Sequence, residues 1–235
     1  MTAKDLIYDL GCGDGRIVIM AAKERGARGV GVDLDPERIC ESRENARAAG
    51  ISHLVRFFEQ NLFDTDISQA TVVMLYLYPE VNLRLRPKLL KELKPGTRIV
   101  SHSHTMGDWE DDATERVEAH DLHFFLIPAN VTGTWGWDEP DGRRVSLSLT
   151  QKFQRVKASM TIGPETYPIT DCSLRGETIL FRVEKPIQGN KEVFSYEGQV
   201  SGDTIQGKIT PKRTGQGMNR WQATRDPSTR VSLAE

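Results

Sequence analysis

Residues Tyr8 to Arg16 read YDLGCGDGR, an apolar run that ends in an acid and passes into glycines at positions 11, 13 and 15. Leu6 to Leu10 have the length and apolar content of a short buried strand. Gly11, Gly13 and Gly15 let the backbone bend tightly and come close to a ligand. Ile17 to Ala22 then open a helix whose N-terminus points back at that bend. A glycine turn between a strand and a helix suggests a nucleotide-like ligand, and its spacing and charge select the kind.

The spacing argues against a dinucleotide, whose fingerprint takes glycines at its first, third and sixth positions so that a helix N-terminus can hold phosphates. Here the sixth position is Arg16, and the third glycine comes one residue early. Asp9 and Asp14 flank the bend, and a carboxylate in contact with a phosphate costs about 4 kcal/mol at an intermediate effective dielectric. A ligand with a cationic head avoids that cost. S-adenosyl-L-methionine carries a sulfonium and an ammonium, so Asp9, Gly11, Cys12, Gly13, Asp14 and Gly15 read as its binding turn. Cys12 fills a place that needs only a small residue and is read as structural, not nucleophilic.

A second apolar strand, Gly29 to Val32, ends at Asp33 in GVDLDPE. An acid at that tip, roughly 20 residues past a glycine turn, is placed to accept both hydroxyls of an adenosine ribose. Asp33 takes the role, with Leu34 beside it; a plain turn residue is the blander reading. Asp35 and Pro36 read as the cap and first turn of a helix that Gly50 closes.

YDLGCGDG and GVDLDPE resemble the first two motifs of the class I S-adenosylmethionine-dependent methyltransferases, and the likeness covers about residues 5 to 128. It implies an α/β fold with a doubly wound, mostly parallel seven-stranded sheet whose last strand is antiparallel. His53 to Phe58, Thr71 to Leu77, Thr97 to His102 and His120 to Pro128 supply strands three to six, with helical stretches between most of them. The family's contact to the adenine amine falls on Asn61 in EQNLFDTDI, where an Asp is commoner but an Asn carbonyl can still accept. Leu62 and Phe63 are placed either to flank the adenine ring or to pack the core.

The stretch PEVNLRLRPKLLKELKPGTRIVS is similar to non-SET protein-lysine methyltransferases, both the histone type linked to telomeric silencing and the ATP synthase c-subunit type. That resemblance implies a protein lysine as acceptor. The amide or acidic residues that such enzymes hold beside the reacting methyl are replaced here by Tyr76, Leu77 and Tyr78. Methyl transfer is an in-line displacement, and holding the nucleophile about 3 to 3.5 Å from the methyl supplies much of the acceleration. A lysine must first lose its proton, and an aromatic, largely apolar channel would lower its pKa by desolvation.

Tyr76 and Tyr78 alternate on the fourth strand and so face opposite ways. Tyr78, before Pro79 at the strand tip, is the preferred channel residue, and Tyr76 is as readily core. His102 and His104 follow the fifth strand at the rim where open α/β sheets bind ligands, as a proton relay or as surface histidines. Trp109, in MGDWEDD, reads equally as a lid over the acceptor or as an anchor for its loop.

Composition is compatible with these assignments. The 235 residues suffice for a large domain with an appendage, and a net charge of −2 gives no footprint for nucleic acid. Three widely spaced cysteines suggest reduced thiols and no zinc cluster. No apolar stretch is long enough to cross a membrane and no secretory leader is evident, so the cytoplasm is the default address. The chain starts only a few residues before its first strand, where family members carry helices that close over the cofactor. It is therefore read as a fragment or as a chain whose start was assigned late, with room upstream for a leader or anchor.

After about residue 128 the pattern changes to short alternating segments, VTGTWGW, VSLSLTQKF, TILFRVE, VFSYEGQV and DTIQGKIT, between glycine, aspartate and asparagine turns. The first one or two are expected to complete the methyltransferase sheet as its terminal hairpin. Domains are accordingly drawn at 1–144 and 145–235, the second an antiparallel β domain, a small barrel or sandwich, for partner binding or stability. Trp135, Trp137 and Trp221 are read as core or barrel-plug residues in preference to a ligand box. The leading reading is a protein-lysine N-methyltransferase. A small-molecule methyltransferase and a non-catalytic S-adenosylmethionine-binding module are the alternatives.

Overall fold

The computed structural model describes residues 1–187, 190–212 and 219–233. It divides into two compact units, Met1–Ile127 and Pro128–Leu233. In the first, β1 (Leu6–Leu10), β2 (Arg28–Asp33), β3 (Val55–Glu59), β4 (Val72–Leu75), β5 (Arg98–His102), β6 (Ala113–Val117) and β7 (His120–Leu126) form one sheet. Their order is β3-β2-β1-β4-β5-β7-β6. The β3 to β5 half is parallel throughout, and β7 runs antiparallel to both β5 and β6. Helices α1 (Arg16–Arg25), α2 (Pro36–Ala48) and α3 (Pro79–Glu92) are the crossovers after β1, β2 and β4.

This is the expected doubly wound sheet. Its order reverses beside β1, and the carboxyl ends of the strands around that reversal are where such sheets bind ligands. Successive residues of the central strands, such as Val72 and Val73 on β4, are buried, as befits strands covered on both faces. α2 is capped as its sequence predicts: the Asp35 side chain accepts from the Glu37 N–H at 2.8 Å, Pro36 opens the first turn, and Gly50 follows with φ 72°.

Two expectations need correction. The fourth strand stops at Leu75, two residues short of the expected Leu77, so Tyr76 and Tyr78 lie in the loop beyond it and do not alternate on the strand. The terminal hairpin is β6–β7, and GTWGWD and RVSLSLTQK belong to the second unit, which begins near residue 128 and not at 145. The physical reason is that alternation reports a strand with one dry face without saying which sheet supplies its neighbours. β6 gave no such signal because all five of its residues are exposed.

The second unit is a closed eight-stranded antiparallel barrel of β8 (Gly133–Asp138), β9 (Arg144–Lys152), β10 (Arg155–Ile162), β11 (Glu165–Arg175), β12 (Thr178–Ile187), β13 (Asn190–Ser201), β14 (Thr204–Pro211) and β15 (Asn219–Arg225). Alternate residues fill its interior, for example Val145, Leu147 and Leu149 on β9 and Ile179, Phe181 and Val183 on β12. Phe181 and Tyr196 stack with ring centres 4.8 Å apart, and Trp221 meets Tyr196 edge-on at 5.4 Å. Trp135, Trp137 and Trp221 are buried, as their reading as core residues requires. Among the described residues no helix is long and apolar enough to cross a membrane.

Candidate active site

The turn after β1 is held against the tip of β2. The N–H groups of Gly11 and Cys12 both donate to the Val32 carbonyl, at 2.8 and 2.9 Å, and that of Gly13 donates to Asp33 Oδ2 at 2.9 Å. Glycine is required at two of these positions for separate reasons. Gly15 has φ 76° and caps α1, and a Cβ there would come within 2.7 Å of the Phe57 ring on β3. Gly11 has φ 87°, and its Cβ would meet Leu77 at 2.9 Å. The bare backbone at Gly11 thus lets the segment after β4 lie directly on the turn.

Three carboxylates surround this bend. Asp9, on β1, is only 1% exposed, and its Oδ2 has no hydrogen-bond partner among the described residues. Burial, reinforced by Asp33 and Asp14, pushes its pKa up to about 7. Asp14 is the opposite case, since Arg16 pairs with it at 2.6 Å and holds it below the usual carboxylate range. Asp33 accepts from Gly13 and from the Asp35 N–H at 3.0 Å, bridging the two loops. Burial and the neighbouring acids push the Cys12 thiol up to about 12, so it is an inert packing residue.

The β3 exit reaches the same place, because the Gln60 N–H donates to the Asp33 carbonyl at 2.9 Å. Asn61 follows, with Oδ1 accepting from the Phe63 N–H at 3.0 Å, so one of its two acceptor positions is already used. Leu62 is half-buried, Leu34 is exposed, and the Arg84 guanidinium lies 4.6 Å over the Phe63 ring.

Beyond β4 the tyrosines are open. Tyr76 is 61% exposed and Tyr78, the N-cap residue of α3, is 76% exposed. Tyr76 is therefore not a core residue. Its ring stands edge-on to His102, with centres 4.2 Å apart, and His102 in turn lies 4.6 Å from His120. The Ser103 hydroxyl sits 3.1 Å from Nδ1 of His102 and 3.3 Å from Nδ1 of His120. Ser103 adopts φ 62°, which a serine takes at a cost of about 1 kcal/mol or more. Partial burial, with His120 and His104 nearby, holds His102 below its ordinary value, which favours its neutral form near pH 7. Trp109 is fully buried against Phe125 at 5.1 Å; it anchors its loop and is not a lid.

Sequence reasoning missed Ser103 and His120, together with Asn82 on α3, whose Nδ2 donates to Ser101 at 3.1 Å while Ser101 donates to the His104 carbonyl at 2.6 Å. No local pattern marks these residues. Ser103 and His120 meet because β7 returns antiparallel beside β5, setting Leu122 opposite His102, whereas Asn82 reaches Ser101 from α3.

An orphaned buried carboxylate oxygen beside a glycine turn fits a cationic nucleoside ligand, and with this sheet order the site is that of a class I S-adenosyl-L-methionine-dependent methyltransferase. The sequence pattern of the ANTKMT methyltransferase domain matches residues 9–113. A protein-lysine N-methyltransferase of Saccharolobus islandicus is 44% identical over 52% of this chain and 80% of its own length. An ATP synthase c-subunit lysine N-methyltransferase of Xenopus laevis is 35% identical over 60% of this chain, which spans 57% of that enzyme. Among solved structures, an RNA methyltransferase from Salinibacter ruber in complex with S-adenosyl-L-homocysteine shares 49% identity at a TM-score of 0.55, covering 55% of this chain and 85% of that one. The chain belongs to the family of S-adenosyl-L-methionine-dependent methyltransferases that includes these lysine-modifying enzymes.

Proposed function

We propose that this protein methylates the side-chain nitrogen of a lysine in a protein substrate. The observation that carries the reading is the placement of two exposed tyrosines on either side of Leu77, which itself rests on the glycine turn. The similarity to the Saccharolobus lysine N-methyltransferase supports it. When bound, S-adenosyl-L-methionine supplies a methyl carbon on a sulfonium, open to in-line displacement by a nitrogen lone pair.

The roles we assign follow the local chemistry. Asp33, with Leu34 alongside, takes the ribose hydroxyls; Asp9 faces the positive charge; Gly11 to Gly15 give a close backbone approach; and Asn61 and Leu62 border the adenine. Tyr76 and Tyr78 are the aromatic walls for the lysine stem. Because both are more than half exposed, they desolvate the amine only once the substrate covers them. His102, in its neutral form and in contact with Tyr76, takes the proton that the ammonium must lose. The free cysteines Cys12, Cys40 and Cys172 suit a reducing compartment, and the cytoplasm is the address we propose.

The test supplies S-adenosyl-L-methionine labelled on its methyl, together with fractionated lysate. Label recovered as methyl-lysine after protein hydrolysis supports the proposal. Label confined to RNA, as the name of the Salinibacter relative would have it, or to small molecules, contradicts it.

A further inference from the structure

The barrel of the second unit closes unevenly. β8 pairs with β9 at six positions and β14 with β15 at six, but β15 meets β8 at only two, Thr224 with Gly136 and Arg225 with Trp135. Past that short ladder, Trp137 and Asp138 on one edge and Trp221 and Gln222 on the other line a cavity of about 750 Å³ that reaches Tyr196 and Lys185. Small-molecule sites run from about 300 to 1,000 Å³, so the opening is of ligand size.

Its lining has two characters. Trp137, Tyr196 and Trp221 form an aromatic wall, with Trp221 centred 5.1 Å from Trp137 and 5.4 Å from Tyr196. Lys185 stands against that wall, 12% exposed, and its Nζ donates to the Tyr196 hydroxyl at 2.7 Å and to Glu139 Oε1 at 2.9 Å. Glu139 comes from the turn between β8 and β9, where Arg143 holds its other oxygen at 2.9 Å. A carboxylate on a surface loop therefore reaches in to cover a cation on the barrel wall. Around the cavity stand Arg143, Arg144, Lys185 and Arg220 with Asp138 and Glu139; Arg144 pairs with Asp138 at 3.2 Å and Arg143 also with Asp141 at 2.7 Å, which leaves one cation in surplus.

We propose that this cavity binds a small amphipathic carboxylate, its apolar body against Trp137, Tyr196 and Trp221 and its carboxylate on Lys185 in place of Glu139. The exchange keeps the charge-assisted hydrogen bonds of the ammonium, while Glu139 stays with Arg143 at the loop. Burial of the apolar body drives binding, and the excess of cations favours an acid over a neutral analogue of the same shape. All of the lining residues belong to the second unit.

Dodecanoate and 1-dodecanol, titrated below their solubility limits into the full chain and followed by tryptophan fluorescence, separate these contributions. The acid should saturate one site and bind about threefold tighter than the alcohol, because the Lys185 pair is exchanged and not gained, and only the surplus cationic charge favours the acid. Glu139→Gln should tighten the acid and leave the alcohol unchanged. Lys185→Met should erase the preference for the acid while S-adenosyl-L-methionine still binds. Equal affinity for acid and alcohol in the unaltered protein, or no saturable binding of either, overturns the proposal. A preference that survives in Lys185→Met does so too, and the comparison in unaltered protein stands even where a variant fails to fold.

Discussion

The Gly13 N–H donates to Oδ2 of Asp33 at 2.9 Å, so the residue that closes β2 also fixes the shape of the turn that follows β1. One carboxylate thereby anchors a loop, and in the role we propose for it its remaining lone pairs take the ribose hydroxyls. Asp33→Ala should weaken S-adenosyl-L-methionine binding by about 1.5 to 3 kcal/mol, and Asp33→Asn, which can still accept from Gly13, by less. Isothermal titration checks both. An unchanged dissociation constant in Asp33→Ala would remove the residue from the site.

Asp9 makes the ligand-free protein sensitive to pH. Its folded pKa of about 7 lies above the value of about 3.9 for a free aspartate. Between roughly pH 4 and 7 the folded chain therefore holds a proton that the unfolded chain has released, and stability falls as pH rises, by up to about 1.4 kcal/mol per unit. Asp9→Asn should flatten that part of the profile in chemical denaturation. The same ionisation should make affinity for the cationic ligand rise through pH 7 in the parent protein and not in the variant. Matching pH profiles for the two proteins would contradict this account of Asp9.

His102 is assigned to proton removal, with Ser103 holding its ring through Nδ1. Replacing His102 by Phe keeps an aromatic ring beside Tyr76 and removes the base. The turnover number near pH 7 should drop about a hundredfold, the low end for general-base catalysis, while the cofactor dissociation constant stays put. Turnover restored in the variant at a pH where the acceptor amine deprotonates unaided would fit; a weakened cofactor site with unchanged turnover would not.

Arg225 carries a structural load in the barrel. It is 2% exposed, donates to Asp203, Gly202, Thr132 and Asn130 at 2.8 to 3.2 Å, and lies 4.5 Å over the Trp135 ring. Arg225→Met keeps the stem and strands those acceptors, and should cost about 3 kcal/mol, read as a lower melting temperature. A melting curve that superimposes on the parent's would show that these bonds contribute little.

The legible parts of this chain are those written in contiguous residues. Gly11, Gly13, Gly15, Asp33 and the Asp35–Pro36 cap announce themselves because a turn, a strand tip and a helix start each need particular residue types at fixed spacing. The cluster of Tyr76, His102, Ser103 and His120 is half hidden, since it depends on how β7 registers against β5. Tyr76 reads as a strand residue because β4 and the loop beyond it are equally apolar in sequence. β8 and β9 read into the wrong sheet for a similar reason: β8 closes the barrel against β15, which begins only at Asn219, and β9 follows β8 into that sheet. The contact of Glu139 with Lys185 has no sequence signal at all, because it joins a turn to a strand across the barrel mouth.

Thermal denaturation with added ligands tests most directly the claim that a negatively charged glycine turn receives a cationic methyl donor. S-adenosyl-L-methionine and S-adenosyl-L-homocysteine should each raise the melting temperature in a saturable way, and NAD at the same concentrations should leave it where it was. A rise with NAD equal to that with S-adenosyl-L-methionine, or none with any of the three, would contradict it.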